Sequence, residues 1–270
     1  TEKAARGVYC GTVGICLPDQ RRIFNVAIRT IQLEAGKAIY GVGGGITWDS
    51  TWESEYIETQ QKSAVLYRKN PQFDLITTGK IEKGSLIFQD QHLKRLREAA
   101  RYFAYPFDEE KLKAELNQTL AELDPSKDYR LRISIAKSGK VTCQLEKLQA
   151  LPEAFCKAIL VPQNANLHQP FTYFKTSYRP HLSLGQQEQI YYNAHGQLLE
   201  SSIGNLVLQL DGHLYTPPVE LGLLNGIYRQ HLLETGQATE KILSLDDLKS
   251  AEKIYACNAL RGLYELEIDD

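Results

Sequence analysis

The 270-residue sequence predicts an α+β protein on three observations. Its composition, 43% hydrophobic and 24% charged, is that of a folded chain rather than a disordered or fibrous one. Short runs with a strand-like pattern alternate with stretches whose apolar residues recur every three or four positions. Turn residues punctuate these runs, and no internal repeat or low-complexity tract interrupts them.

Residues 9–15, 23–29 and 38–42 read as strands in a glycine-rich opening segment. Residues 52–66 read as a helix that places Glu55, Glu58 and Lys62 on one face. The run Arg68-Lys69-Asn70-Pro71-Gln72 breaks the pattern, which puts a boundary near residue 68 and makes residues 1–67 one unit. Strand-like Phe73-Asp74-Leu75-Ile76-Thr77-Thr78 opens the next. Asp90 is the expected N-cap of a helix with Leu93, Leu96, Ala100 and Phe103 on its apolar stripe, and a second helix covers residues 109–123. Residues 131–136 and 141–145 alternate around Ser138-Gly139 as a hairpin, completing a small α+β domain over 68–150. A second α+β domain spans 151–270. Its expected strands are 158–161, 189–192, 206–210 and 254–257, its helix runs from Gly226 to a stop at Gly236, and Pro217-Pro218 marks a surface turn.

With 31 Lys+Arg against 33 Asp+Glu, the chain has no electrostatic reason to bind nucleic acid or an anionic membrane, so a small ligand is expected. No apolar run reaches the ~18 residues that span a bilayer, and a cytoplasmic location is the expectation. Cys10, Cys16, Cys143, Cys156 and Cys257 are odd in number and form no C-x-x-C pair, and read as reduced, mostly buried thiols. Methionine does not occur where ordinary usage gives roughly half a dozen. The expectation is that methionines or loop residues of the natural chain are missing from this sequence.

In the first segment the sequence carries Arg6-Gly7-Val8-Tyr9-Cys10-Gly11, Ala27-Ile28-Arg29-Thr30, Gly41-Val42-Gly43-Gly44-Gly45-Ile46, Asp49-Ser50 and Glu55-x-x-Glu58-x-x-x-Lys62. An arginine on a strand can clamp a carboxylate, a glycine run admits backbone amides to an anion, and carboxylates one turn apart can hold Mg²⁺. Read singly, Glu58 and Lys62 are an ordinary i,i+4 pair and the glycines a tight loop. Together, over residues 5–63, they resemble the C-terminal end of the chorismate-using enzymes, in particular component I of aminodeoxychorismate synthase. That resemblance implies Arg29 on a chorismate carboxylate, Glu55 and Glu58 on magnesium, Lys62 near the ring and a glutamine amidotransferase partner. The family's upstream motifs, with its first magnesium carboxylate, do not occur here. Half a site is therefore implied, on a segment that packs against the C-terminal remainder of the chain or belongs to a longer polypeptide.

The second part of the chain carries a different set: His92-Leu93-Lys94-Arg95-Leu96, Phe174-Lys175-Thr176-Ser177-x-Arg179, Glu200-Ser201-Ser202-Ile203-Gly204-Asn205, Leu224-Asn225-Gly226-Ile227-Tyr228-Arg229 and Cys257-Asn258-Ala259. In order and type these resemble the fold type IV pyridoxal-phosphate family, over about residues 73–264, which includes branched-chain and D-amino-acid aminotransferases and aminodeoxychorismate lyase. The resemblance implies a two-domain fold type IV architecture preceded by the chorismate-binding fragment. It implies Lys175 as the lysine that carries pyridoxal 5'-phosphate and then acts as base, and Glu200 as the carboxylate at the pyridine nitrogen. Arg95 and the helix start Gly226-Ile227-Tyr228 would hold the phosphate, with Asn258 and Ala259 closing its other side. Thr77 and Thr78 are either β-formers in a strand or hydroxyls on the substrate side, with Thr78 a catalytic candidate. Arg179 either binds a substrate carboxylate or pairs at the surface, and His92 reads as a helix-start residue.

The two resemblances together imply p-aminobenzoate synthesis. The lyase would take the synthase's product, 4-amino-4-deoxychorismate, and eliminate pyruvate from it. The alternatives are a class IV aminotransferase and a non-catalytic interaction module. The family also implies a homodimer.

Overall fold

The computed structural model describes residues 5–67, 70–153, 156–163, 170–183, 185 and 187–269. It divides into two compact units, Thr1–Pro71 and Gln72–Asp270. The expected boundary at Arg68 lies outside the described residues.

In the first unit β1 (Thr12–Cys16) pairs antiparallel with β2 (Arg22–Val26), and β3 (Ile31–Glu34) with β4 (Lys37–Tyr40). The second hairpin was not expected as such. It turns on Ala35 and Gly36, both at positive φ (45° and 76°), the conformation that matches the twist of a tight hairpin. Helix α1 (Trp52–Ser63) starts where Thr51 accepts from the Ser54 N–H, with Glu53 and Glu55 in the first turn complementing the helix dipole. Two isolated hairpins and one helix bury little: among the described residues of this unit Ala27 alone is buried, and Leu33, Trp48 and Trp52 are exposed.

The second unit begins with a four-stranded antiparallel sheet in the order β6-β5-β7-β8, built from β5 (Leu75–Glu82), β6 (Ser85–Leu86), β7 (Tyr129–Ile135) and β8 (Val141–Lys147). Alternation decides its faces. Leu75, Ile81, Leu131, Ile133 and Ile135 form one buried cluster with Leu93 and Leu96 of α2 (Gln89–Phe103) and Leu112 and Leu116 of α3 (Glu109–Ala121). Burying each such leucine contributes about 1.5–3 kcal/mol. Asp108 caps α3. The expected N-cap of α2, Asp90, is corrected: Phe88 precedes the helix in a left-handed conformation (φ 59°), and Asp90 lies inside the first turn.

The remaining elements are β9 (Lys157–Pro162), α4 (Pro170–Tyr173), β10 (Glu188–Tyr192), β11 (Leu198–Ser201), β12 (Asn205–Leu210), β13 (His213–Thr216), α5 (Ile227–Glu234), β14 (Ala238–Glu240), α6 (Leu245–Ser250), β15 (Lys253–Asn258) and β16 (Gly262–Ile268). Their sheet has the order β11-β10-β9-β16-β15-β12-β13-β14, and a further pairing of β11 with β12, Glu200 opposite Asn205, closes the first six strands into a ring. Ile190, Leu198, Leu206, Leu208, Ala256 and Leu266 pack with Leu243 and Leu248 as its core. Helix α5 ends where Gly236 turns left-handed (φ 68°), and α6 starts with a capping box between Ser244 and Asp247.

The fold is α+β. Two expectations are corrected. Pro217 is buried, not a surface turn, and its carbonyl accepts from the buried Arg229 guanidinium, which also pairs with Glu240. The cysteines are free as expected, yet Cys257 alone is fully buried while Cys10 and Cys16 are exposed. Among the described residues no helix is long and apolar enough to cross a membrane.

Candidate active site

Lys175 comes after the single turn of α4, whose Pro170 carbonyl accepts from the Phe174 N–H. The segment is then fastened to the start of β5. Lys175 O accepts from Ile76 N–H (3.0 Å), Ser177 N–H donates to Asp74 O (2.9 Å), and Asp74 N–H donates to the Ser177 hydroxyl (2.8 Å). Aromatic rings wedge the same junction: Phe73 meets Phe103 and Phe171 at 4.9 and 5.1 Å, and Phe174 meets Tyr102 at 4.6 Å. A lysine with its backbone pinned on both sides presents its amine from a fixed base.

Lys175, Arg95, Phe174, Asn225 and Ile227 line a cavity of about 270 Å³. Burial first, then the charges of Arg179 and Arg95, push the Lys175 amine well below the ordinary lysine range, against the pull of Glu200. Glu200, on β11, is 2% exposed. Burial raises its carboxyl to about 7 while Arg179, a contact from Leu224 N–H (3.4 Å), Lys175 and Arg95 oppose the rise. Arg179 itself is half-buried and lowered by burial, and its Nε finds no hydrogen-bond partner among the described residues.

The Arg95 end of the cavity is assembled from stretches far apart in the unit. Arg95 on α2 donates to the carbonyl of Asn225 (2.8 Å), the residue before Gly226, which precedes α5. Burial and Arg179 lower the Arg95 guanidinium to about 10, still fully charged at neutral pH. Among the described residues no side chain caps α5, so its first N–H groups and dipole are open to an anion. Gly226 has an ordinary φ of −68°, so conformation does not demand glycine there; a Cβ would instead overlap Asn205 Oδ1, whose amide donates to Leu224 O (2.7 Å). Asn258 is a brace: its amide donates to Ile203 O (3.2 Å) and its oxygen accepts from Leu260 and Arg261 N–H (3.0 and 2.9 Å), holding the turn that contains Ala259.

The two threonines separate. Thr77 is 1% exposed and its hydroxyl shares a 2.6 Å hydrogen bond with His92 Nδ1, on the helix-covered face. Its expected contact with substrate is corrected, because that hydroxyl is committed inside the core. His92 is fully buried in the first turn of α2 and held neutral, its pKa lowered to about 3 by burial with help from Arg95 and Lys175. Thr78 lies on the opposite, open face, in register with Arg132 and, across from that, Gln144. Sequence reasoning missed Arg132. It lines a second cavity, of about 280 Å³, with Asp74, Arg130, Ser134, Gln144 and Glu146, and its charge also reaches Lys175. An alternating strand with arginines at successive outward positions was the available signal.

In the first unit Lys62 Nζ joins Glu58 Oε1 (2.7 Å) and Gly43 O (2.8 Å), and Arg29 reaches the Lys62 carbonyl (3.5 Å). Glu55 accepts from the Ser50 hydroxyl (2.7 Å) through Oε1, while its buried Oε2 has no hydrogen-bond partner among the described residues and lies against Gly44. Glu55, Glu58, Arg29 and Lys62 thus come together. Among the described residues no group of three or more acidic, His or Cys side chains forms, so two carboxylates stand without a third.

Residues 74–266 match the family model for amino-transferase class IV, and residues 1–68 match the model for chorismate binding enzymes. The "Putative aminodeoxychorismate lyase" of Schizosaccharomyces pombe is 28% identical over 193 residues, covering 66% of this chain and 82% of that one. The "Anthranilate synthase component 1" of Saccharolobus solfataricus is 42% identical over 65 residues; the chain spans 15% of the length of that relative. The crystal structure of a "Putative amino-acid aminotransferase" from Mesorhizobium loti is similar with a TM-score of 0.64 and 31% identity, over 73% of this chain and 100% of that one.

Proposed function

We propose, since the chain belongs to the amino-transferase class IV family, that residues 72–270 bind pyridoxal 5'-phosphate and eliminate pyruvate from 4-amino-4-deoxychorismate, leaving p-aminobenzoate. The observation that carries this reading is the charge at the site. Arg95, Arg179 and Lys175 all act on one buried carboxylate, Glu200. Such an excess of positive charge around a small cavity suits a phosphate and a dicarboxylic substrate. The Arg179 Nε and the start of α5, which lack a side-chain partner among the described residues, fit the same anionic guests.

When bound, pyridoxal phosphate supplies an electron sink for the pair released at the substrate carbon. The chain's own residues do the rest. Burial beside two arginines pushes the Lys175 amine well below the ordinary lysine range, so it gives up its proton more readily and would serve as the point of attachment and, once free, as the base that takes the substrate proton. Glu200 holds the proton on the ring nitrogen. Arg95 and the first N–H groups of α5 anchor the phosphate, the Asn258 brace keeps the Ala259 turn beside it, and Thr78 with Arg179 faces substrate. In the first unit Arg29, Lys62, Glu55 and Glu58 form part of a chorismate and Mg²⁺ site, with Glu55 Oε2, which has no partner among the described residues, as the donor that fits the ion. A homodimer and a glutamine amidotransferase partner belong to the same proposal.

Elimination is supported by the likeness to the fission-yeast lyase over most of its length and by the chorismate-type segment on the same chain. The likeness to the Mesorhizobium loti protein along its full length favours a second reading, amino transfer. Incubation with cofactor and aminodeoxychorismate decides between them. The lyase releases pyruvate and p-aminobenzoate in equal amounts, loses both in Lys175→Ala, and forms little pyridoxamine phosphate from D-alanine. Accumulation of pyridoxamine phosphate without p-aminobenzoate would establish the aminotransferase instead. A desalted protein with no cofactor absorbance between 300 and 500 nm would remove both and leave an interaction module.

A further inference from the structure

His181 is 4% exposed, and neither of its ring nitrogens has a hydrogen-bond partner among the described residues. Its Nε2 lies 3.9 Å from Glu200 Oε1. A buried imidazole with both nitrogens unused costs stability unless a partner completes it. The segment that carries it is firmly held: Leu182 N–H donates to Arg179 O, Ser183 N–H to the Tyr191 hydroxyl (2.8 Å), and the Ser183 hydroxyl to Gln189 Oε1 (2.6 Å). Gln189 and Tyr191 of β10 therefore fix the segment next to the ring, and a movement of about 1 Å closes the gap between Nε2 and the carboxylate to a hydrogen bond.

We propose that His181 is a positioning residue that donates its Nε2–H to Glu200 and holds that carboxylate as an anion facing the cofactor's ring nitrogen. The inference rests on the pyridoxal phosphate reading of the site. The groups that face Glu200 are Arg179 and Lys175 from the segment after α4, Arg95 from α2, and the Leu224 N–H. Of these, Lys175 is committed to the cofactor once it is bound, which removes one cation from the balance. Burial and Arg179 keep the imidazole neutral, lowered to about 4, so it donates a hydrogen bond at working pH without adding charge to an already basic site. A carboxyl raised by burial needs such a donor to stay ionised.

Three proteins test this: the intact chain, His181→Leu, and His181→Gln, whose amide reaches roughly where Nε2 stands. Two readouts are taken, the titration of the Glu200 carboxyl by infrared spectroscopy without cofactor, assigned with Glu200→Gln, and the dissociation constant for pyridoxal phosphate by fluorescence. His181→Leu is expected to raise the titration midpoint by about one pH unit and to weaken cofactor binding on the order of ten-fold, with His181→Gln restoring most of both. Unchanged titration or unchanged affinity in His181→Leu overturns the assignment, as does equal damage in the two variants, which would mean a merely structural ring. If the intact chain itself retains no cofactor, the functional reading falls and this inference with it.

Discussion

Gly226→Ala separates packing from conformation at the start of α5. The backbone at Gly226 (φ −68°, ψ 143°) is open to any L residue, so the substitution strains nothing by itself. The new methyl would overlap the Asn205 carboxamide, which is 3% exposed and donates to Leu224 O. Moving that amide orphans a buried carbonyl, at about 1–3 kcal/mol, and overpacks the junction, at about 1–3 kcal/mol more. The expected loss is therefore about 2–6 kcal/mol. In a unit of roughly 200 residues this lowers the melting temperature by about 4–24 °C. Thermal unfolding of the single variants and of the pair with Asn205→Ala measures it. Once the Asn205 side chain is gone there is nothing to displace, and Gly226→Ala should cost under about 1 kcal/mol. A full cost that persists beside Asn205→Ala, or no cost in the intact chain, would refute the packing argument.

Glu200→Gln tests the buried carboxyl through pH. Burial raises this group to about 7 from its ordinary range, so between those two values the folded chain keeps a proton that the unfolded chain releases. Stability is lost as pH rises through that window, is untouched below about 4.3, and is reduced by about 3–4 kcal/mol above 7. Without cofactor, Glu200→Gln should therefore be more stable than the natural chain at pH 8 and not at pH 4.5 by urea unfolding; an equal difference at both would rule out the raised carboxyl. Thr77→Val should destabilise by about 1–3 kcal/mol, because both His92 ring nitrogens are then unpartnered, while leaving cofactor retention intact. Thr78→Val, on the open face, should lower turnover with little change in stability. The reverse pattern in denaturation and rate measurements would return Thr77 to the substrate side.

Some of this architecture is local and legible directly. Leu131, Ile133 and Ile135 alternate, which marks β7, and the apolar spacing of Leu93, Leu96 and Ala100 marks α2. Lys175 and Glu200 stand out by their residue types in a familiar order. Strand β11 escapes a sequence reading because Leu198, Leu199, Glu200 and Ser201 are buried on both faces, so no alternation marks them. The start of α2 is equally hidden, because the left-handed Phe88 carries no sequence signature.

The sequence by itself determined the chemistry on hand and the periodicity of most elements, since both depend on neighbours within a few positions. Only the tertiary structure decided which groups meet. Arg95 and Asn225, 130 positions apart, touch because α2 and the start of α5 converge. Thr77 and Thr78 part company because strand register turns one toward His92 and the other toward Arg132. Glu200 becomes a hard-to-ionise carboxyl, Lys175 an amine well below the ordinary lysine range and His181 a ring 3.9 Å from that carboxyl only once burial and distance are fixed. Solvent exclusion and the separation between charges are properties of the folded chain in space, and no stretch of sequence contains them.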